Sequence, residues 1–348
     1  MAMRRINRAS EYLLAAALGA ALIGTVRAAE QPAASWLERM NHALTTLDYE
    51  GTFAHWQGGR VVMLRIIHRL KNGVVSERLQ SLDGSGREFI RSGSKLTCYL
   101  PDKREVLVEH VPSKSSLIAT LPVLNQETAR FYAIREGARM RIDQHTTRLI
   151  TIMPHDQYRY GYRLWIDNSG MPLKIQLWDA RNGGQVIEQI AFATLSIDTQ
   201  IPDSAFEPHL STVGYRWLRN AAAAVPQSSA LVWNALWLPP GFHMATHVAQ
   251  IMPGAPGPVE HLVYTDGLAS VSVFVERHTE PHSGQAMIES ARVGASYIFS
   301  TFVDGHRVTA VGEAPARTVR SIADSVQAQP AGYSQLPGGP FAHSPLPP

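Results

Sequence analysis

Apolar positions change their spacing early in this chain. Trp36, Leu37, Met40, Ala43, Leu44 and Leu47 recur at helical intervals, and Ser35 with Glu38 three residues on reads as a capping box that opens a helix. From Tyr49 the period shortens to that of strands. Strands are expected over 49–57, 60–70, 74–82, 86–91, 94–100, 104–110, 131–136, 139–145, 147–153, 159–167, 172–179 and 185–198. Gly58-Gly59, Asn72-Gly73, Asp83-Gly84, Ser92-Gly93, Asn168-Ser169-Gly170 and Asn182-Gly183-Gly184 supply the turns between them. So many consecutive short strands with so few helices predict a large antiparallel sheet, curled or closed.

The alternation is cleanest where Leu173, Ile175 and Leu177 share one face and Lys174 and Gln176 the other. It blurs at Val61–Leu64 and Leu149–Met153, which are apolar on both faces, as strands are when one face meets a core and the other is covered by helices, a loop or a ligand. The weakly patterned stretch from Val111 to Arg130 lies where a lid over that second face is expected. Ile201–Pro208 reads as a closing turn that tucks Phe206 inward, after which residues 209–232 lose the strand pattern and read as a connector.

A second set of strands follows. Residues 259–276 read as a hairpin about Asp266-Gly267, with Val271, Val273 and Val275 on one face. Tyr297–Phe302 and Arg307–Gly312 flank a turn at Asp304-Gly305, and Pro315 begins a helix whose Val319, Ile322, Ala323 and Val326 share one side. Charged residues thin out after position 210, which supports a boundary there. The expected division is a signal at 1–28, a first domain at 29–210, a linker at 211–232, a small α/β domain at 233–327 and a disordered tail at 328–348.

Arg4, Arg5 and Arg8 precede an apolar run from Tyr12 to Val26, and Val26-Arg27-Ala28 presents small residues for cleavage after Ala28. The run is shorter than the roughly 20 residues of a spanning helix, so export and removal are expected rather than anchoring. The four arginines and one glutamate of 1–28 account for the whole excess of 32 Lys+Arg over 29 Asp+Glu. The remainder is neutral, which gives no support for nucleic-acid binding.

Candidate chemistry is thin. Cys98 is the only cysteine, so no intrachain disulfide can form, and its place between Thr97 and Tyr99 reads as a buried strand residue. The chain has 14 histidines, but His243 and His247, four apart, fall in a strand or loop without a third ligand, so no metal is assigned. The Ser92–Lys95 string lies in a hairpin turn, not at the helix start a serine acyl enzyme requires, and no P-loop, dinucleotide or nucleophile-elbow pattern occurs. Neither catalytic residues nor a cofactor are assigned. Arg130, Arg135, Arg139, Arg141 and Arg148 form a basic stretch that reads chiefly as a solvated strand face balanced by Glu127, Glu136 and Asp143, and secondarily as a basic edge for acidic segments or phosphate head groups.

YEGTF at 49–53, ERLQSLDGSGREFIR at 77–91 and CYLPD at 98–102 resemble the MucB/RseB family, periplasmic regulators of an envelope-stress sigma factor. HLVYTDGLASVSVFVE at 261–276 and VTAVGEAPARTVRSIADSV at 308–326 resemble that family's C-terminal half. The resemblance implies an N-terminal open β-barrel like the lipoprotein carriers LolA and LolB, with covering helices, followed by a smaller α/β domain. It implies a non-enzymatic periplasmic protein that binds the periplasmic domain of a transmembrane anti-sigma factor and shields it from regulated proteolysis. Acyl lipid, lipopolysaccharide or lipoprotein would be the effector, and a homo-oligomer is a further option. Phe53, Leu64, Ile66, Ile152, Leu164 and Ile175 are then the expected lipid-lining residues. Arg135 and Arg139, with Tyr264 and Phe274 of an exposed hairpin in the second domain, are the expected partner contacts. The alternative is a periplasmic lipid or lipoprotein carrier without a regulatory partner. A secreted hydrolase would rest only on the weak strings above.

Overall fold

The structure, a computed structural model, describes residues 33–110, 117, 128–219, 231–252, 255–277 and 289–330. The expected signal, most of the expected lid, the middle of the expected linker and the tail beyond 330 lie outside these residues.

The helix α1 spans Ala33–Thr46. It starts two residues before Ser35, because Ala33 and Ala34 are strong helix formers that carry the first turn upstream. Ser35 is therefore a helical residue and not the cap. Eleven strands then follow in the expected places: β1 Tyr49–Gln57, β2 Arg60–Lys71, β3 Val74–Ser81, β4 Glu88–Ser92, β5 Lys95–Leu100, β6 Glu105–His110, β7 Tyr132–Ile142, β8 His145–Pro154, β9 Gly161–Asp167, β10 Pro172–Asp179 and β11 Gln185–Ile197. The two strands expected over 131–145 are one, β7, whose pairing with β8 shifts register between Glu136 and Arg139. Gly137 and Ala138 form the bulge, and the hairpin turns at Asp143, which takes a positive φ of 52°.

A twelfth strand, β12 Arg216–Arg219, lies inside the expected connector and pairs in parallel with β6. The strand order is β12-β6-β5-β4-β3-β2-β1-β11-β10-β9-β8-β7, antiparallel except at β12. Among the described residues its two end strands do not pair with each other, so the sheet is not closed into a barrel. One face buries Tyr49, Phe53, Ile66, Ile150, Ile152, Leu164 and Ile166 against Trp36, Leu37, Met40, Ala43 and Leu44 of α1. Gly170 (φ 95°) lets the β9–β10 turn reach the helix: a Cβ there would meet the Arg39 carbonyl at 2.7 Å. Phe206 is half-buried beneath the Arg69 guanidinium, 4.9 Å away.

The second sheet has the order β14-β15-β16-β19-β18-β17, all antiparallel, from β14 His243–Ile251, β15 Pro258–Thr265, β16 Ser270–Arg277, β17 Glu289–Val293, β18 Ser296–Val303 and β19 His306–Gly312. The helix α2, Ala316–Asp324 with Pro315 at its N-cap, covers one face. The ribbon β13 Leu231–Ala235 with β20 Val326–Pro330 extends that cover. The strand β20 carries ordered pairing past 328, where a disordered tail was expected.

Candidate functional site

The six expected lipid-lining residues converge. Phe53, Ile66, Ile152, Leu164 and Ile175 belong to a single buried cluster, and Leu64 packs against it. They sit beneath α1, whose Met40 and Leu44 are fully buried among them. They form the packed core between helix and sheet, an apolar chamber filled by α1. Strands β3 and β4 carry two buried ion pairs that the sequence did not single out, one on each face of the sheet. Glu77 and Arg91, directly opposite in the β3–β4 pairing, meet at 2.9 Å with both side chains fully buried, and Glu77 also accepts the backbone N–H of Leu117 at 3.2 Å. Arg78 and Glu88 also meet at 2.9 Å, and Glu88 accepts the backbone N–H of His209. His68 stacks on Tyr49 with ring centroids 4.9 Å apart, its Nδ1 2.7 Å from the Leu47 carbonyl. Burial holds its pKa below the ordinary value, against an opposing pull from Glu77.

The junction between the sheets is built around Arg159. Its Nη1 donates to Asp266 Oδ2 at 2.7 Å and its Nη2 to the Pro240 carbonyl at 2.5 Å, while Asp156 pairs with it from the neighbouring turn. The guanidinium lies over the rings of Phe131, Tyr132 and Phe242, between 4.8 and 5.4 Å from their centroids. The Tyr132 hydroxyl donates to the same Asp266 oxygen at 2.8 Å; burial first, and Asp266 second, push its pKa far up. Gly241, with φ 85°, passes so close to the Phe131 ring that a Cβ would collide with it. Leu268, two residues past Asp266, packs into the core of the large sheet, and Thr318 of α2 donates to the Tyr158 carbonyl at 2.7 Å. A second contact brings Ala295 against Tyr160, Leu177 and Ile187.

This corrects the expected exposed hairpin. The turn at Asp266-Gly267 is the piece of the small sheet inserted into the large one, and Asp266 is buried. Tyr264 is buried too. Its hydroxyl donates to Asn234 Oδ1 at 3.1 Å and accepts the Ala235 N–H at 2.7 Å, so it is a core residue and offers no surface. Its alternation with Leu262 on the Val271–Val273 side was the signal that places it inside. Phe274 lies on the opposite face of that sheet, half-buried, stacked on His261 at 4.4 Å and lining a shallow depression with Met252, Val259 and Thr309. Arg135 and Arg139 are both exposed on β7, at the edge of the large sheet. Among the described residues no group of three or more His, Cys, Asp or Glu side chains is placed to hold a metal ion. His247 pairs instead with Glu260, 2.8 Å away.

Comparison with known proteins gives this geometry a context. The family model for the MucB/RseB N-terminal domain matches residues 32–210, and that for the MucB/RseB C-terminal domain matches 227–327. The sigma factor AlgU regulatory protein MucB of Pseudomonas aeruginosa is 29% identical over 307 residues, 86% of this chain and 92% of that protein. The sigma-E factor regulatory protein RseB of Escherichia coli K12 is 26% identical over 320 residues, 91% and 97% of the two chains. Among solved structures, MucB in complex with MucA(peri) superposes with a TM-score of 0.67 at 27% identity, covering 86% of this chain and all of that one. A crystal structure of MucB alone gives 0.58 at 26%, covering 85% of this chain and 98% of that one.

Proposed function

The chain belongs to the MucB/RseB family, and from that premise we propose that it is a periplasmic, non-enzymatic regulator of an envelope-stress sigma factor, acting by binding the periplasmic domain of a transmembrane anti-sigma factor. The observation that carries this reading is the match of both family domains, in order, across nearly all described residues. A relative whose structure superposes on this chain was solved bound to MucA(peri), which supports the same class of partner here. Binding shields the anti-sigma segment from site-specific proteolysis, and amphiphiles with acyl chains relieve the shielding. Support for the second half is physical. The carrier-like face under α1 is apolar along its length, and an amphiphile that binds one state of the protein more tightly than the partner-bound state shifts the population between them.

The test uses the exported, processed protein and the purified periplasmic domain of the anti-sigma factor. Complex formation is measured by calorimetry, then cleavage of the anti-sigma segment by its protease is followed across a titration of acyl amphiphile. Protection that declines saturably is the expected result. No complex removes the reading. Protection indifferent to every amphiphile removes the sensing half and leaves the binding half.

A further inference from the structure

Among the described residues, strand β7 has a strand neighbour on one side only. It pairs with β8 along its length, and no strand among the described residues takes up the backbone groups of its other edge. At 11 residues it is long for an edge. Proteins shorten, twist, charge or cover such strands, because a row of unpaired N–H and C=O groups is a template for another chain.

Charge singles out this edge further. Arg135, Arg139 and Arg141 are exposed along it. Arg148, directly across from Arg139, is neutralised by Glu136 at 2.8 Å. Neither Arg135 nor Arg139 has a carboxylate within ion-pair distance among the described residues, and Arg141 donates to the Asp143 carbonyl at 3.0 Å. The bulge decides where these charges point. Unbroken alternation from Ile134, which faces the core, would turn Arg139 to the opposite face. The register shift instead sets Arg139 across from Arg148, two residues from the core-facing Ile150. Arg135 therefore flanks the edge on the outer face, and Arg139 and Arg141 flank it on the helix side. A strand added there would meet cations on both faces, matching its own alternation.

We propose that β7 is a strand-addition site, and that an extended acidic segment of the partner's periplasmic domain pairs with its free edge. The proposal rests on the partner reading above and adds where and how that partner docks. Backbone pairing supplies affinity, and the arginines select carboxylates at alternate positions. The bland account is that the same charges merely keep edges of neighbouring molecules apart.

The experiment is hydrogen exchange on the processed full-length protein, alone and with the anti-sigma periplasmic domain. It is combined with affinities for R135E/R139E and for the control K103E, whose exposed lysine lies elsewhere, each first checked for an unchanged thermal transition. Slowed exchange across 132–142, a Kd raised about tenfold or more in R135E/R139E, and an unchanged Kd in K103E are expected. A complex that leaves β7 exchange unaltered overturns strand addition alone. Slowed exchange with no loss in R135E/R139E overturns the acidic chemistry. Absence of any complex overturns this proposal together with the partner reading.

Discussion

Arg159 and Asp266 stand 107 residues apart in sequence and 2.7 Å apart in space, both side chains fully buried, and they join the two sheets. A charge pair in such a place is stabilising only while both partners are present, since either alone is a desolvated ion in a poor medium. Here the arginine is also satisfied by the Pro240 carbonyl and by three aromatic faces, so its position is over-determined.

Removing one partner should therefore cost more than its contacts suggest. Asp266→Ala is expected to destabilise the protein by about 3–5 kcal/mol, and to loosen the small sheet from the large one. Urea unfolding and limited proteolysis within 231–330 read both effects. A variant as stable as the parent would show that the junction rests on Leu268 and Thr318 instead.

The same logic applies to the buried pair between β3 and β4. Arg91→Met strands the Glu77 carboxylate, which then retains the Leu117 amide as a partner. The single variant should lose about 3–5 kcal/mol, while Glu77→Leu combined with Arg91→Met should recover a large part of it. A double variant no better than the single one would mean that the pair, rather than packing, holds this part of the sheet.

How far these features were legible differs by type. The first eleven strands were readable because their turns carry their own chemistry: Asn72 and Gly73, for example, both adopt positive φ, as their residue types favour. The six apolar candidates were readable as a group because alternation puts them on one face. Strand β12 was not, since four residues in parallel with a strand a hundred positions away leave no local trace. Nor was Arg159, a single cation in a turn whose partner is remote in sequence. Asp266 was seen, but only as a turn residue. Its backbone role is real, as Oδ1 accepts the N–H of Leu268 and of Ala269, and its other oxygen makes the junction.

Stability should depend on pH through His68. Burial outweighs the pull of Glu77 and lowers its pKa from 6.5, so the fold holds the neutral ring while the unfolded chain takes up a proton. The contribution is complete above about 6.5 and is lost as pH falls from there toward the folded value. Unfolding free energy measured between pH 7.5 and 5 should decline, and His68→Gln should flatten the decline. An equal slope in the variant would assign the effect to other groups.

Cys98 should be chemically silent. Its side chain is buried in β5 between Phe89 and Leu107, and burial raises the thiol pKa to about 11. A disulfide reagent at pH 8 is expected to label it only after unfolding, so that labelling tracks global opening. Rapid labelling of the native protein would contradict this.

Access to the apolar face sets the last expectation. The residues proposed to contact an acyl chain, from Phe53 to Ile175, are covered by Trp36, Leu37, Met40 and Leu44, so an amphiphile would have to compete with α1 for the same surface. Each site-filling contact of the helix then opposes the ligand. Leu44→Ala should destabilise the protein by about 2–5 kcal/mol, through lost burial and a residual cavity. It should also tighten amphiphile binding, because less helix docking has to be undone. Trp36, at the sheet-facing side of α1, offers a fluorescence signal for its displacement. Weaker amphiphile binding in Leu44→Ala would place the ligand on α1 itself. Unchanged binding would place it on another surface altogether, and the six residues would then be core and nothing more.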